Sequence, residues 1–335
     1  METYDIIIIG AGIAGYAGAV YAGRLKLKTL VIGKERGGAL VTTDVIENYP
    51  GFKSITGAEL AAKVREHAME YKDDVKFADD IVTRIDRKDG CFIIYTESKK
   101  EYKALAILYA TGTKHRKLGV PGENEFFAKG VHTCGLCDGP FYKGKTIAVI
   151  GGSDSAAKEA LLLTQWAKKV YIIYRKEKIR AEPINSKRID EKVAEGKIEI
   201  INNTNVKEIL GEKFVKKVIL DRPYNGKNEF PLNGVFVAAG IIPISELAHD
   251  IGVETNEKDE IIINKYGETN IEGFFAAGDV TDIKFKQAIT GVGYAVSAVY
   301  SAYTYIKEKG SGITRCDQAS SAARNTANGT VRGLF

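Results

Sequence analysis

Residues 4–15 read YDIIIIGAGIAG and join an apolar run to a turn with glycines at positions 10, 12 and 15. In a turn of this kind the first glycine permits the tight bend, and the second lets the backbone approach a pyrophosphate. The third lets the following helix pack on the strand. The N-terminus of that helix directs its positive dipole end at the phosphates. The stretch therefore predicts a strand, a turn and a helix that bind a dinucleotide.

A second run, residues 146–156, reads TIAVIGGSDSA and repeats this pattern, with Ser153 at the middle glycine position. Around both motifs, runs rich in Ile and Val alternate with helix-like stretches, which is typical of an α/β fold with parallel sheets. A chain of 335 residues has room for about two domains. The sequence predicts two Rossmann-like nucleotide-binding domains.

A basic cluster follows the second strand of this second unit, residues 170–174. Arg175, Lys176 and Arg180 lie where an acidic residue would favour NAD, whereas arginine accommodates the 2′-phosphate of NADP. The cluster indicates NADPH as the nucleotide, with a solvated basic loop as the alternative interpretation.

Cys134 and Cys137 form a C-x-x-C pair that Asp138 follows directly. Such a pair exchanges electrons by thiolate attack on a disulfide, at rates that thiol pKa and access control. Asp138 is placed to supply or remove a proton during exchange. The pattern predicts a redox-active disulfide, with a pair of inert core thiols as the alternative.

The remaining cysteines and the histidines do not suggest a metal site. A zinc site would need a second Cys or His pair at ligand spacing. Cys91 and Cys316 stand alone, and the four histidines, at 67, 115, 132 and 249, are scattered. Four cysteines also do not make a disulfide framework. No metal is therefore predicted.

Composition narrows the class of protein. The net charge of +5 is dispersed, without a basic stripe interleaved with aromatics, which argues against nucleic-acid binding. The apolar runs are shorter than a membrane span requires, and the start of the chain lacks a signal-peptide layout. A cytoplasmic protein is expected. Residues 310–335 are rich in Ala, Ser, Thr, Asn and Arg without an apolar period, and they are predicted to be a flexible tail or an added extension.

Two further segments are candidate walls of a flavin site. Ala110, Thr111 and Gly112 follow an apolar strand at 104–109, and Gly278 and Asp279 end another apolar run. Gly278 allows close approach of the backbone, and the carboxylate of Asp279 can accept a hydrogen bond from a sugar-like hydroxyl.

Together these motifs make the chain resemble the low-molecular-mass thioredoxin reductases, which are FAD-dependent pyridine nucleotide-disulfide oxidoreductases, from residue 4 to about residue 309. The matching segments are GAGIAG (10–15), GKERGGAL (33–40), ENYPGF (47–52), ATGT (110–113), CGLCDG (134–139), VIGGSDSA (149–156), YRKEKIRAEP (174–183) and AAGDV with KQA (276–288). The resemblance implies an FAD domain at 1–115 and 245–309. It also implies an inserted NADPH domain at 116–244, which carries the redox pair.

The resemblance also implies roles for individual residues. The FAD residues would be Gly10, Gly12, Ile13, Ala14 and Gly15 at the pyrophosphate; Ile32, Gly33, Lys34, Glu35, Arg36, Gly37, Gly38, Ala39 and Leu40 on the adenosine side; and Asn48, Ala110, Thr111, Gly112, Gly278, Asp279, Lys286, Gln287 and Ala288 near the ribityl chain and flavin. The NADPH residues would be Gly152, Ser153, Asp154, Ser155, Arg175, Lys176 and Arg180.

In the same resemblance, Cys137 is the cysteine beside the flavin, Cys134 attacks the disulfide of the partner and Asp138 is the acid and base. The expected partner is thioredoxin or a thioredoxin-like protein, and the expected assembly is a homodimer. One arrangement of the domains cannot present both the nicotinamide and the disulfide to the same flavin face. Rotation of domain 116–244 about the segments 114–118 and 241–245 is therefore expected.

Several positions depart from the family pattern. Ala39 replaces Gln, Lys286 replaces Arg, Tyr174 replaces His, Lys176 replaces Arg and Ser153 replaces a glycine. The changes at 153 and 174 keep one alternative open, in which reduced ferredoxin replaces NADPH as the electron donor. A second alternative is a small-molecule dithiol oxidase that passes electrons through flavin to oxygen.

Overall fold

The computed structural model describes residues 1–309 and Cys316. The predicted tail, 310–335, lies outside the described residues apart from Cys316. Among the described residues, no helix has the length and apolarity that a bilayer crossing requires.

The helices and strands follow one another in an alternating order. The helices are α1 (Ile13–Arg24), α2 (Gly57–Met69), α3 (Gly135–Asp138), α4 (Asp154–Leu163), α5 (Pro183–Ala194), α6 (Glu246–Asp250) and α7 (Ala288–Lys309). The strands are β1 (Glu2–Ile9), β2 (Thr29–Ile32), β3 (Val75–Ala78), β4 (Val82–Lys88), β5 (Cys91–Thr96), β6 (Glu101–Tyr109), β7 (Thr113–His115), β8 (Val131–His132), β9 (Thr146–Ile150), β10 (Lys169–Ile173), β11 (Ile198–Ile201), β12 (Val206–Gly211), β13 (Val215–Tyr224), β14 (Lys227–Pro231), β15 (Gly234–Val237), β16 (Ile241–Pro243) and β17 (Phe274–Ala276).

Two compact units divide the chain, one formed by residues 1–113 with the chain from 243 onward, and the other by residues 114–242. The boundaries expected from the sequence, 115/116 and 244/245, lie two residues further along the chain. The segments that connect the units, β7 and β16, pair as a two-stranded sheet.

The first unit is built on a sheet of order β3-β2-β1-β6-β5-β4, with β17 also paired to β6. Its β1, β2, β3, β6 and β17 run parallel, and β4 and β5 are antiparallel additions. Side chains of β1 alternate between two cores because successive residues of a strand point to opposite faces. Ile6 and Ile8 pack in the core that contains residues of α1 and α7, and Ile7 and Ile9 pack in the core that contains residues of β4 and β5.

The second unit contains a parallel sheet of order β11-β10-β9-β15-β8 and a three-stranded antiparallel sheet, β12-β13-β14. Strand β9 divides its side chains as β1 does: Ala148 and Ile150 join one core, and Ile147 and Val149 join the other. The predicted α/β class with two Rossmann-like domains is confirmed. The class could be predicted because strands that are buried on both faces have continuous runs of isoleucine and valine.

Candidate active site

The first glycine turn lies between β1 and α1, and its glycines are needed for close packing. Gly10 has φ of +120°, and a Cβ there would lie 2.2 Å from the carbonyl oxygen of Ala110. A Cβ on Gly15 would lie 1.9 Å from the carbonyl oxygen of Gly10. Larger side chains at these two positions would therefore force the strand, the turn and the helix apart.

Gly12 differs from its neighbours because, within the part of the chain that the structure describes, a Cβ there would meet only the Cα of Gly38, at 4.0 Å. It precedes α1 in an extended conformation that any residue adopts, with φ of −82° and ψ of −178°. Its glycine is therefore not required by the protein's own packing. Open space in front of a helix N-terminus is what an approaching pyrophosphate needs.

The loop after β2 is held against this turn. The amide of Gly37 donates a 2.8 Å hydrogen bond to the carbonyl oxygen of Ala11, and Gly12 forms an isolated bridge with Gly37. The side chain of Arg36 pairs with Asp79 at the surface. The structure thus places the 33–40 segment beside the glycine turn, where the adenosine side of FAD is expected.

The residues expected near the flavin also converge in the first unit. The Asn48 side chain donates a 3.0 Å hydrogen bond from its Nδ2 to Oε1 of Gln287, although 239 residues separate the two. Lys286 lies 3.1 Å from Glu260 and donates a 2.9 Å hydrogen bond to the backbone oxygen of Asp279. Its ammonium group therefore fixes the turn that carries Asp279.

The side chain of Asp279 is half-buried. Burial raises the pKa of its carboxyl group, and the Lys286 charge opposes this shift. Gly278, directly before it, has φ of +82°, and a Cβ there would lie 3.2 Å from Cβ of Ala14 in α1. The end of β17 thus lies against the first helix turn, as a shared FAD site requires, so the residues present fit the cofactor.

The second glycine turn lies between β9 and α4. Arg180 donates a 2.6 Å backbone hydrogen bond to the carbonyl oxygen of Gly152, and Ser153 forms an isolated bridge with Arg180. The Asp154 carboxylate accepts hydrogen bonds from the amide of Glu182 at 2.8 Å and from Asn185 Nδ2 at 2.9 Å. The basic loop is therefore anchored to the turn by its backbone, while the Arg175, Lys176 and Arg180 side chains are exposed.

Tyr174 lies between these parts. Its ring covers Gly152, where a Cβ would lie 2.4 Å from the tyrosine ring carbons. Tyr174 is buried, and its hydroxyl has no hydrogen-bond partner among the described residues. The sequence showed only that this position departs from the family pattern, and the packing on the turn is a structural finding.

The redox pair lies at the short helix α3, with Cys134 as its N-cap residue and Cys137 within it. Cys134 and Cys137 are joined by a disulfide with a Cα–Cα distance of 5.4 Å, and the amide of Cys137 donates a 3.1 Å hydrogen bond to Sγ of Cys134. Cys137 is exposed and Cys134 is half-buried. A partner thiol can therefore reach this disulfide, as thiol–disulfide exchange requires.

Cys91 and Cys316 form a second disulfide, contrary to the expectation that they stand alone. No sequence pattern indicated this bond, because 225 residues separate the two positions. Both residues are fully buried in the core of the first unit. A buried disulfide is closed to attack by an external thiolate, so its role differs from that of the Cys134–Cys137 pair.

Two acidic groups lie at α3, Asp138 at its end and Glu159 on the neighbouring helix α4. Asp138 Oδ2 lies 3.1 Å from Nδ1 of His132 on β8. Glu159, on α4, accepts a hydrogen bond from the amide of Gly135, and a Cβ on Gly135 would lie 2.8 Å from its Oε1. The position between the two cysteines is thus restricted to glycine, because a larger side chain would collide with the carboxyl group of Glu159. Sequence reasoning did not find Glu159 or His132.

Burial raises the pKa of Glu159 to about 7; the charge of Asp138 acts in the same direction, and the hydrogen bond from Gly135 opposes it. An acid whose pKa is raised in the folded state stabilises that state at low pH. The contribution is lost as the pH rises from the ordinary value to the raised one.

Glu159→Gln keeps an acceptor for the Gly135 amide and removes the titration. We expect the variant to match the wild type at pH 4.5 and to be more stable by about 1–3 kcal/mol at pH 8. Thermal unfolding can be followed by the fluorescence of the single tryptophan, Trp166. Its signal reports on this unit because its ring packs closely on Gly139, where an added Cβ would lie 2.6 Å from a ring carbon. The control is Glu195→Gln, whose carboxylate is exposed and paired with Lys192. An equal difference at both pH values would contradict the assignment.

This site defines a class of protein: a nucleotide-binding fold repeated in two units, one of which carries an accessible C-x-x-C disulfide. The family model described as pyridine nucleotide-disulphide oxidoreductase matches residues 4–302. The chain belongs to this family.

Among its relatives, the chain is similar to thioredoxin reductases over nearly its whole length. It is 40% identical to that of Bacillus subtilis (strain 168) over 312 residues, which cover 92% of this chain and 96% of the relative. It is 38% identical to that of Treponema pallidum (strain Nichols) over 310 residues, or 91% and 98% of the two chains. The fold resembles that of Lactococcus lactis thioredoxin reductase in its FR conformation, with a TM-score of 0.86, 39% identity and coverage of 91% and 99%.

Proposed function

We propose that the chain is a thioredoxin reductase, which transfers electrons from NADPH through FAD and the Cys134–Cys137 disulfide to oxidised thioredoxin. The observation that carries the proposal is the accessible C-x-x-C disulfide on a nucleotide-binding unit, in a chain whose other unit has the open glycine turn of an FAD site. The similarity to thioredoxin reductases over more than nine-tenths of the chain supports it.

FAD would be held by the first unit. The turn at Gly10, Gly12 and Gly15 would face the pyrophosphate with the N-terminus of α1, and the hydrogen-bonded Asn48 and Gln287 would lie toward the ring. When bound, FAD accepts reducing equivalents from the nicotinamide and passes them to a disulfide.

The chemistry of this chain's own residues is thiol–disulfide exchange. Cys134 is proposed to attack the disulfide of thioredoxin as a thiolate, and Cys137 to resolve the mixed disulfide. Asp138 is proposed to take the proton from the attacking thiol and to return it to the leaving thiolate of the partner. At the end both protein thiols have become a disulfide, and the disulfide of the partner has become two thiols.

Rotation of the second unit about the connecting strands is part of the proposal. The chain passes between the units only at β7 and β16, which pair with each other. A connection between two units that consists of two adjacent strands is suited to rigid-body rotation.

We further propose a cytoplasmic homodimer. The cytoplasm is a reducing compartment, in which a C-x-x-C pair does redox work.

The electron donor is tested by mixing the purified flavoprotein anaerobically with NADPH, NADH or reduced ferredoxin, and following the loss of flavin absorbance. We expect NADPH to reduce the flavin in preference to the other two, because Arg175 and Arg180 can contact a 2′-phosphate. Reduction by ferredoxin alone would overturn the choice of donor. Thiol-driven oxygen consumption without nucleotide would instead indicate a dithiol oxidase.

The basic loop gives a second test of the donor. Replacing Arg175 or Arg180 by Gln should raise KM for NADPH about ten- to a hundredfold and leave KM for NADH unchanged, because a charge-assisted contact to the phosphate contributes about 1.5–3 kcal/mol. Lys178→Gln, in the same exposed loop, is the matched control. If KM for the two nucleotides rose equally, the loop would not recognise the 2′-phosphate.

A further inference from the structure

His132 connects the residue that follows the redox pair to a buried tyrosine. Its Nδ1 lies 3.1 Å from Oδ2 of Asp138, and its Nε2 lies 2.8 Å from the hydroxyl of Tyr142. His132 is 7% exposed and Tyr142 is 5% exposed. The imidazole ring also stacks on Phe236, with ring centroids 5.3 Å apart. These contacts on three sides therefore hold the imidazole ring in one orientation.

The chemistry of the three groups fixes their hydrogen bonds. Burial lowers the pKa of His132, although Asp138 opposes this, which favours the neutral ring at pH 7 and above. Burial raises the pKa of Tyr142 to about 12, so its hydroxyl keeps its proton. Because a carboxylate can only accept, His132 donates from Nδ1 to Asp138 and accepts at Nε2 from Tyr142.

Two other titratable groups lie near these three residues. The Glu159 carboxyl group on α4 accepts the hydrogen bond of the Gly135 amide, and the negative charge of Asp138 disfavours a negative charge on Glu159. Lys145 lies 5.3 Å from the Tyr142 ring centroid. Among these described neighbours, His132 is the one with a ring nitrogen within hydrogen-bonding distance, 3.1 Å, of the Asp138 side chain.

We propose that His132 is a positioning residue for Asp138, holding its carboxylate as the proton acceptor beside Cys134 and Cys137, and that Tyr142 locks His132 in the tautomer that donates to it. The proposal rests on the proposed function. As the Cys134 sulfur bonds to the disulfide of the partner, its proton passes to Asp138 and the partner's S–S bond breaks. The proton then moves to the leaving thiolate, and His132 keeps its own proton throughout.

The test compares His132→Leu, which removes the donor, with His132→Asn, whose Nδ2 replaces Nδ1. The reduced enzyme is mixed with oxidised thioredoxin, and in parallel with a small aromatic disulfide, and the exchange rate is measured across pH. We expect His132→Leu to be about ten- to a hundredfold slower. The acid limb of its pH–rate profile should also move, because the group that orients the proton acceptor is lost. His132→Asn should restore most of the rate and the wild-type limb.

Tyr142→Phe should give a smaller shift in the same direction, because it removes the tautomer lock alone. His249→Asn, at an exposed position of α6, is the control, and Trp166 fluorescence confirms folding. Two results would overturn the proposal. One is an acid limb of the pH–rate profile that is unchanged in His132→Leu, and the other is a loss of rate equal at every pH that His132→Asn does not restore. A wild type that reduces the small disulfide but no thioredoxin would instead contradict the proposed function, and the pH comparison on the small disulfide would still test His132.

Discussion

Replacing Cys134 or Cys137 by Ser is expected to reduce thioredoxin reduction on the order of a thousandfold or more, to the background rate. A serine oxygen can neither form a disulfide nor act as a thiolate, so the exchange step is lost outright. Reduction of the flavin by NADPH should persist in Cys134→Ser, because that half-reaction does not use the disulfide. Stopped-flow flavin absorbance and steady-state thioredoxin reduction, measured on the same preparation, separate the two.

The second disulfide supplies the control. Cys91 and Cys316 are buried, so the double variant Cys91→Ser/Cys316→Ser should keep its thioredoxin activity while losing stability, by about 2–5 kcal/mol. If this variant lost activity as Cys134→Ser does, electrons would pass through the buried pair. Loss of flavin reduction together with disulfide reduction in Cys134→Ser would refute the division of roles.

Gly12→Ala is expected to weaken FAD binding about ten- to a hundredfold and to leave the apoprotein folded. The added methyl group meets only the Cα of Gly38, at 4.0 Å, so the protein tolerates it. The same methyl would occupy the space that the pyrophosphate needs, and overlap of this kind costs about 1–3 kcal/mol. Equilibrium dialysis of FAD and circular dichroism of the apoprotein measure the two effects separately.

Two other glycines calibrate this result. Gly15→Ala should unfold the first unit, because its Cβ would lie 1.9 Å from the backbone oxygen of Gly10. Gly293→Ala, in an exposed turn of α7 with no atom near the added Cβ, should bind FAD normally. Undiminished FAD affinity in Gly12→Ala would show that the pyrophosphate does not approach this turn.

The α/β fold was predictable because the sequences of its central strands are continuous runs of apolar residues. Strand β6 contains the predicted run at 104–109 and begins three residues earlier, and β10 lies one residue earlier than the predicted strand at 170–174. Both faces of these strands are buried, so every position carries the signal. The glycine turns could be recognised because their packing requires glycine. At Gly10, for example, a Cβ would lie about 2 Å from a neighbouring backbone oxygen.

The contacts that shape the redox site were not predictable in this way. His132 and Asp138 meet because β8 pairs with β15 beside Phe236, and Glu159 meets Gly135 because α4 packs against α3. A lone histidine and one acid in a helix carry no periodic signal, and their partners are set by tertiary packing. The bond between Cys91 and Cys316 was missed for the same reason.

The most direct measurement is to reduce the FAD-loaded protein anaerobically with NADPH alone, alkylate all free thiols, and identify the modified cysteines by mass spectrometry. We expect Cys134 and Cys137 to be modified only when FAD is bound, with Cys91 and Cys316 still joined. A reduced flavin accompanied by an intact Cys134–Cys137 disulfide would contradict it.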